Sequence, residues 1–245
     1  EHYWFATSYF MLYLLTPVLN TAVRNMPKKR LQVTLACLFI LFCGIKSISP
    51  VVFAFDRYGY DLAWFVCVYL LAAYLGLYGW DLFEKRGWLI YGAGSLMSFG
   101  VSVSMWVLAG KSDSFRYYFT VPFHYNYVLC LLGAVGLFYG FSRISVKEGA
   151  GARLIRKLGG LCFGVYLLHE HIDLRFRWYE WIKGLINPGN KEGMPFFLWE
   201  LICCAVILFG AGIFIDWIRS MLFAGVRRIL GKTVLFEKIR KLDEA

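Results

Sequence analysis

The stretch FGVYLLHEHID sets Tyr166, His169, Glu170, His171 and Asp173 close together. Residues three and four apart share a helix face, so Tyr166 would reach His169 and Glu170, and His169 would reach Asp173. A carboxylate beside an imidazole fixes its tautomer, and such a pair can take and return a proton. A polar helix end wetted at an interface fits the same residues. A metal pair does not, because His169 and His171 would point about 200° apart on a helix. A second constellation opens the chain. In EHYWFATSYFMLYLLTPVLN, Tyr9, Tyr13, Thr16 and Asn20 follow i, i+4, i+7, i+11 spacing and make one polar stripe, which either lines a cavity or joins helices. Pro17 has no N–H to bond the Tyr13 carbonyl, so that carbonyl is left free and a kink is expected.

The elements that carry these residues are long and apolar. Hydrophobic residues make up 59% of the 245, aromatics 19% and charged residues only 17%, more apolar than a soluble domain. A helix needs about 20 mostly apolar residues to cross the hydrocarbon while pairing its own backbone groups. Seven stretches are read as crossings: 3–23, 31–55, 61–80, 87–109, 123–141, 158–172 and 196–218. The expected fold is all-α, a polytopic transmembrane bundle occupying residues 1–218, followed by a basic amphipathic cytoplasmic tail, 219–245. Close helix approach is expected at Gly94, Ser98 and Ser102, at Gly136 and Gly140, and at Gly160 and Gly164.

Loop charge supports the same count, since Lys and Arg gather on the cytoplasmic side. Alternate loops, with the tail, hold 18 of the 26 basic residues; the other set holds 8, Lys46 and Arg175 among them. Seven crossings then place the C-terminus inside and residue 1 outside. His2, His124, His169 and His171 all fall on that outer side, which makes His124 a candidate lining residue. EHYW has neither the basic start nor the small-residue cleavage site of a secretory signal. The expected reading is that an odd number of crossings precedes Glu1 and that the chain is a fragment.

The net charge of +10 is thus a topology signal and a lipid-facing tail rather than a nucleic-acid surface. Seven cysteines lie in apolar segments without metal-ligand spacing and read as small buried hydrophobes. No P-loop, dinucleotide fingerprint or internal repeat is present, and no metal or bound cofactor is expected.

Three motifs carry a family resemblance. YWFATSYFMLYLLTPVLN resembles the W-F-x-x-x-Y-x-x-L-Y-L-L-x-P-x-L-N signature of membrane acyltransferase family 3, the polytopic bacterial O-acyltransferases; YDLAWFVCVYLLAAYLGLY and FGVYLLHE resemble two further motifs in the same order. The resemblance implies an acyl group, acetyl above all, passing from acyl-CoA to a hydroxyl of a surface glycan or lipid-linked acceptor at the bacterial plasma membrane. It carries over Trp4, Tyr9, Pro17 and Asn20, then Trp64, Phe65 and Tyr69, and finally Tyr166, His169 and Glu170. It also implies about ten crossings, and a catalytic histidine with an upstream arginine in helices before residue 1. His169, Glu170 and Tyr166 are then supporting groups, with Tyr9 or Tyr166 donating to a developing oxyanion and Glu170 orienting a base. Tyr58, Tyr60, Tyr117, Tyr118, Tyr125, Trp178 and Trp181 either stack on a sugar or anchor the interface. A glycan or lipid-precursor transporter would use similar polar stripes and broken helices, and a non-catalytic envelope scaffold remains a third reading.

The charge alternation predicts that a membrane-impermeant thiol probe labels cysteines engineered at 175–191 in intact cells but not cysteines at 28–30. Equal labelling of both loops would remove the seven-crossing topology.

Overall fold

A computed structural model describes residues 3–49, 57–189 and 191–230. Among these residues the regular elements are helical and none is a strand. His2, the end of the second stretch and the tail from 231 lie outside the described residues. The chain divides into two compact units, Trp4–Ser145 and, from Val146 onward, a second that includes Tyr3.

The first unit holds α1 (Trp4–Asn25), α2 (Lys28–Ile48), α3 (Leu62–Tyr78), α4 (Asp81–Leu108), the short α5 (Asp113–Thr120) and α6 (Val128–Ser142). A π turn, Ile40–Gly44, interrupts α2. α4 leaves helical geometry at Arg86, immediately before the apolar run that starts at Gly87. The Asp61 carboxylate caps α3 by accepting from the Trp64 N–H at 3.0 Å. Leu31, Leu35, Leu71, Phe83 and Tyr139 share one apolar core drawn from α2, α3, α4 and α6. At one end of the unit Lys28 lies over the Tyr78 ring, and Arg143 donates to the Glu84 carbonyl.

Glycine controls the contact between α4 and α6. A Cβ on Gly87 would lie 2.7 Å from the Gly136 carbonyl oxygen, and one on Gly136 would lie 2.8 Å from that of Gly87. Gly94, Ser98 and Ser102 continue the same buried face of α4, as their spacing predicts.

The second unit contains α7 (Ala150–His169), α8 (Trp178–Ile186) and α9 (Met194–Leu230). Of the close approaches expected at Gly160 and Gly164, only the second forms: Gly160 faces open space, whereas Gly164 makes room for the buried carboxylate of Asp216 and Gly212 for Val165. Asp216 accepts from Arg219 Nε at 2.5 Å, one turn further along α9, which runs on to Leu230. Glu200, also buried, accepts from Asn187 at 2.6 Å and Tyr179 at 2.9 Å, which ties α8 to α9. That bond to a carboxylate pushes the Tyr179 phenol above its ordinary pKa.

Four helical segments are long and apolar enough to cross a membrane: Lys28–Ile48, Asp81–Leu108, Phe115–Ser142 and Met194–Val226. The expected seven crossings are therefore not all supported by length and composition. Leu62–Tyr78 is apolar but short. α1 is diluted by its tyrosines, threonines and asparagines, and α7 by Arg153, Arg156 and Lys157 in its first turns.

Exchange of Gly136 for Ala should lower the thermal unfolding midpoint, at a cost of roughly 1–3 kcal/mol for overpacking against α4 backbone. Gly92→Ala, where nothing lies within 4 Å, should leave the midpoint unchanged or raise it slightly. Equal effects would show that this contact does not depend on the missing side chain.

Candidate functional site

Each unit carries a polar constellation beside candidate residues. In the first unit it forms where the end of α2 meets the turn before α3 and the segment before α6. Lys46, only 2% exposed, donates to Asn126 Oδ1 at 2.8 Å and lies 5.0 Å from the centroid of the Tyr58 ring. Asn126 Nδ2 donates to the carbonyl of Phe42 in the π turn, at 3.2 Å. Ser47 Oγ accepts from the Val128 N–H at 3.0 Å, which satisfies an amide at the start of α6 from a different helix. Buried ammonium groups persist only when paired or hydrogen-bonded, so these neighbours are a condition of Lys46 being there.

The adjoining turn has positive φ at Tyr58 (62°) and Gly59 (84°). Glycine accepts that conformation, and a Cβ at 59 would also meet Tyr125 Cβ at 2.8 Å. Tyr58, which pays for the same backbone geometry, packs its ring 4.3 Å from that of His124. The Tyr58 carbonyl accepts from the Tyr125 N–H. Trp4 completes an aromatic wall, with its ring 4.4 Å from Tyr60 and 5.8 Å from Tyr125. Trp4 and His124, two candidates from distant parts of the sequence, thus belong to one aromatic cluster.

The stripe on α1 is less unified. Thr16 Oγ1 donates to the Tyr13 carbonyl at 2.7 Å, the group that Pro17 leaves free. Asn20 accepts from the Tyr69 hydroxyl at 2.7 Å, joining the first and second motifs across α1 and α3. Tyr9 and Tyr13 are 54% and 62% exposed, with Tyr9 stacked on Phe5. An open groove of about 510 Å³ on α1 is lined by Pro17, Val18, Thr21, Ala22 and Asn25, and by none of the four stripe residues.

In the second unit, α7 ends at His169 and the chain turns. The His169 ring points Nδ1 at the Val165 carbonyl, 3.2 Å away, and Nε2 at Glu170 Oε1, 3.4 Å away. Glu170 Oε2 lies 3.4 Å from Arg175 Nη1. The Tyr166 ring packs edge-on to that of His169 at 5.8 Å. Asp173 pairs with His171 at 3.7 Å rather than with His169, because helical spacing lapses beyond residue 169. Among the described residues no group of three His, Cys, Asp or Glu could hold a metal ion.

Lys46, Asn126 and Arg175 were not singled out for chemistry from sequence. A lysine inside the run ILFCGIKSI is the cue for the first, since a charge in a membrane-length helix needs internal partners. Arg175 had no cue, because only the turn after α7 folds it back to Glu170.

Membrane-length helices with buried ionisable residues define a polytopic membrane protein. Its family follows from the sequence model described as an acyltransferase domain, which matches residues 1–217. The chain belongs to that family, membrane acyltransferase family 3. No curated protein and no solved structure matches the chain.

Replacing Asn126 by Leu should destabilise the first unit by about 2 kcal/mol or more, the worth of a hydrogen bond to a charged group. Lys46→Met added to that variant should recover part of the loss, which denaturant unfolding in detergent would measure. A double variant weaker by the sum of both single losses would show that the two side chains do not depend on each other.

Proposed function

We propose that the full-length protein is an integral-membrane O-acyltransferase that moves an acyl group, acetyl by preference, from acyl-CoA to a hydroxyl of a cell-surface glycan. Membership of the acyltransferase family carries this reading. In the reaction the acceptor oxygen attacks the thioester carbonyl, the carbon–sulfur bond breaks, and the acceptor proton ends on the CoA thiol. The protein must therefore move one proton and stabilise one developing oxyanion.

His169 and Glu170 supply a pair suited to proton transfer. Nδ1 lies 3.2 Å from the Val165 carbonyl, which can only accept, so Nε2 is the nitrogen left for exchange, and a proton on it would lie between the ring and the Glu170 carboxylate. On this reading the pair supports the main catalytic histidine expected from the family motif. Trp4, Tyr60 and Tyr125 offer clustered ring faces of the kind that stack on sugars, with His124 beside them on Tyr58. Tyr9 and Tyr13, whose rings are exposed on α1, are available to an acceptor or to further helices. The proposed setting is the bacterial plasma membrane with the C-terminus in the cytoplasm, the side on which acyl-CoA is found.

In membranes containing the full-length protein, His169→Ala and Glu170→Gln should each reduce acetyl transfer about 100-fold, the lower range for general acid–base groups, while insertion and yield stay as in the parent. Unchanged transfer in both variants would remove the pair from the reaction.

A further inference from the structure

We infer that Arg175 is a positioning residue for the His169–Glu170 pair. The inference rests on the proton-transfer role proposed above, and it adds a residue that neither the motif nor helical spacing identifies.

Glu170 occupies the first position beyond α7, where its backbone N–H still donates to the Tyr166 carbonyl at 3.1 Å. Its side chain is no longer held by helical neighbours. The side chain is nevertheless largely covered, at 19% exposure, and its two oxygens face different partners. Oε1 is directed at His169 Nε2 and Oε2 at Arg175 Nη1, each at 3.4 Å. Arg175 is set by the turn that follows α7, where its own N–H donates to the His171 carbonyl at 2.8 Å, and its guanidinium lies 5.2 Å from the Phe176 ring. The arrangement runs from a helix carbonyl through an imidazole and a carboxylate to a guanidinium.

Each member limits the next. The Val165 carbonyl can only accept, so it fixes the ring by Nδ1 and leaves Nε2 toward Glu170. The guanidinium keeps its charge and holds one carboxylate oxygen, so the other stays on Nε2. His171 and Asp173 face one another across the same turn. Without Arg175, Oε2 loses its cationic partner, and the rotamer that directs Oε1 at His169 loses the contact that favours it. Lysine at 175 would keep the charge while losing the planar fork.

The test uses full-length protein in membranes, with Arg175→Gln, Arg175→Lys, His169→Ala and Glu170→Gln compared. Expected for Arg175→Gln are a kcat at least about tenfold lower, within what an acid–base pair can contribute, an unchanged KM for acetyl-CoA, and a displaced ¹⁵N Nε2 resonance of His169. Arg175→Lys should restore most of both signals. A parental rate and spectrum in Arg175→Gln would overturn the inference. So would equal losses in the Gln and Lys variants accompanied by a lower unfolding temperature, the mark of a purely structural arginine. If His169→Ala and Glu170→Gln leave transfer unchanged, the proton-transfer reading of the pair fails. A displaced His169 resonance in Arg175→Gln would still support the positioning.

Discussion

A cation at the end of a membrane-length helix has to bring its polar surroundings with it, and Lys46 organises its end of the first unit in this way. Its ammonium needs Asn126, and Asn126 in turn donates to the Phe42 carbonyl inside the π turn of α2. The next residue, Ser47, takes the first amide of α6. Three separate parts of the chain are thereby held at one level, and the aromatic cluster of Trp4, Tyr60, Tyr125 and His124 stands on that level. The positive-φ turn at Tyr58 and Gly59 is tolerated there because the segment before α6 packs directly against it.

Small residues do the corresponding work between helices. Hydrocarbon gives apolar side chains little reason to leave lipid for one another, so close backbone approach decides helix pairing. Gly87, Gly94 and Gly136 provide it between α4 and α6, and four-residue spacing made most of that face legible in the sequence. The same rule failed at Gly160, because spacing marks a groove without saying what fills it. In the second unit the filling group is a carboxylate, Asp216, and only packing reveals that Gly164 lies beneath it.

The number of crossings was harder to read than the helical class. α1 and α7 form helices, yet their polar residues leave them short of the apolar length that Lys28–Ile48 or Met194–Val226 reaches. Those polar residues have identifiable local tasks. Thr16 bonds the carbonyl that Pro17 leaves free, and Asn20 binds Tyr69 of α3. In the candidate sites, helical spacing brought Tyr166 and His169 together correctly, since both lie within α7. It misassigned Asp173 and passed over Arg175 because the helix ends before either, and a turn obeys no 3.6-residue period. Lys46 was legible in principle as a charge within an apolar run, but its partner Asn126 is 80 positions away and pairs with it only through tertiary packing.

Acyl transfer to a glycan hydroxyl, the function proposed above, can be followed directly. Membranes containing the full-length protein, and matched membranes lacking it, can be given acetyl-CoA labelled in the acetyl group, followed by separation of glycan, lipid and protein fractions. Protein-dependent label is expected in the glycan fraction, released as acetate by mild alkali as an oxygen ester requires. Label confined to the lipid or protein fraction, or equal in both membranes, would contradict it.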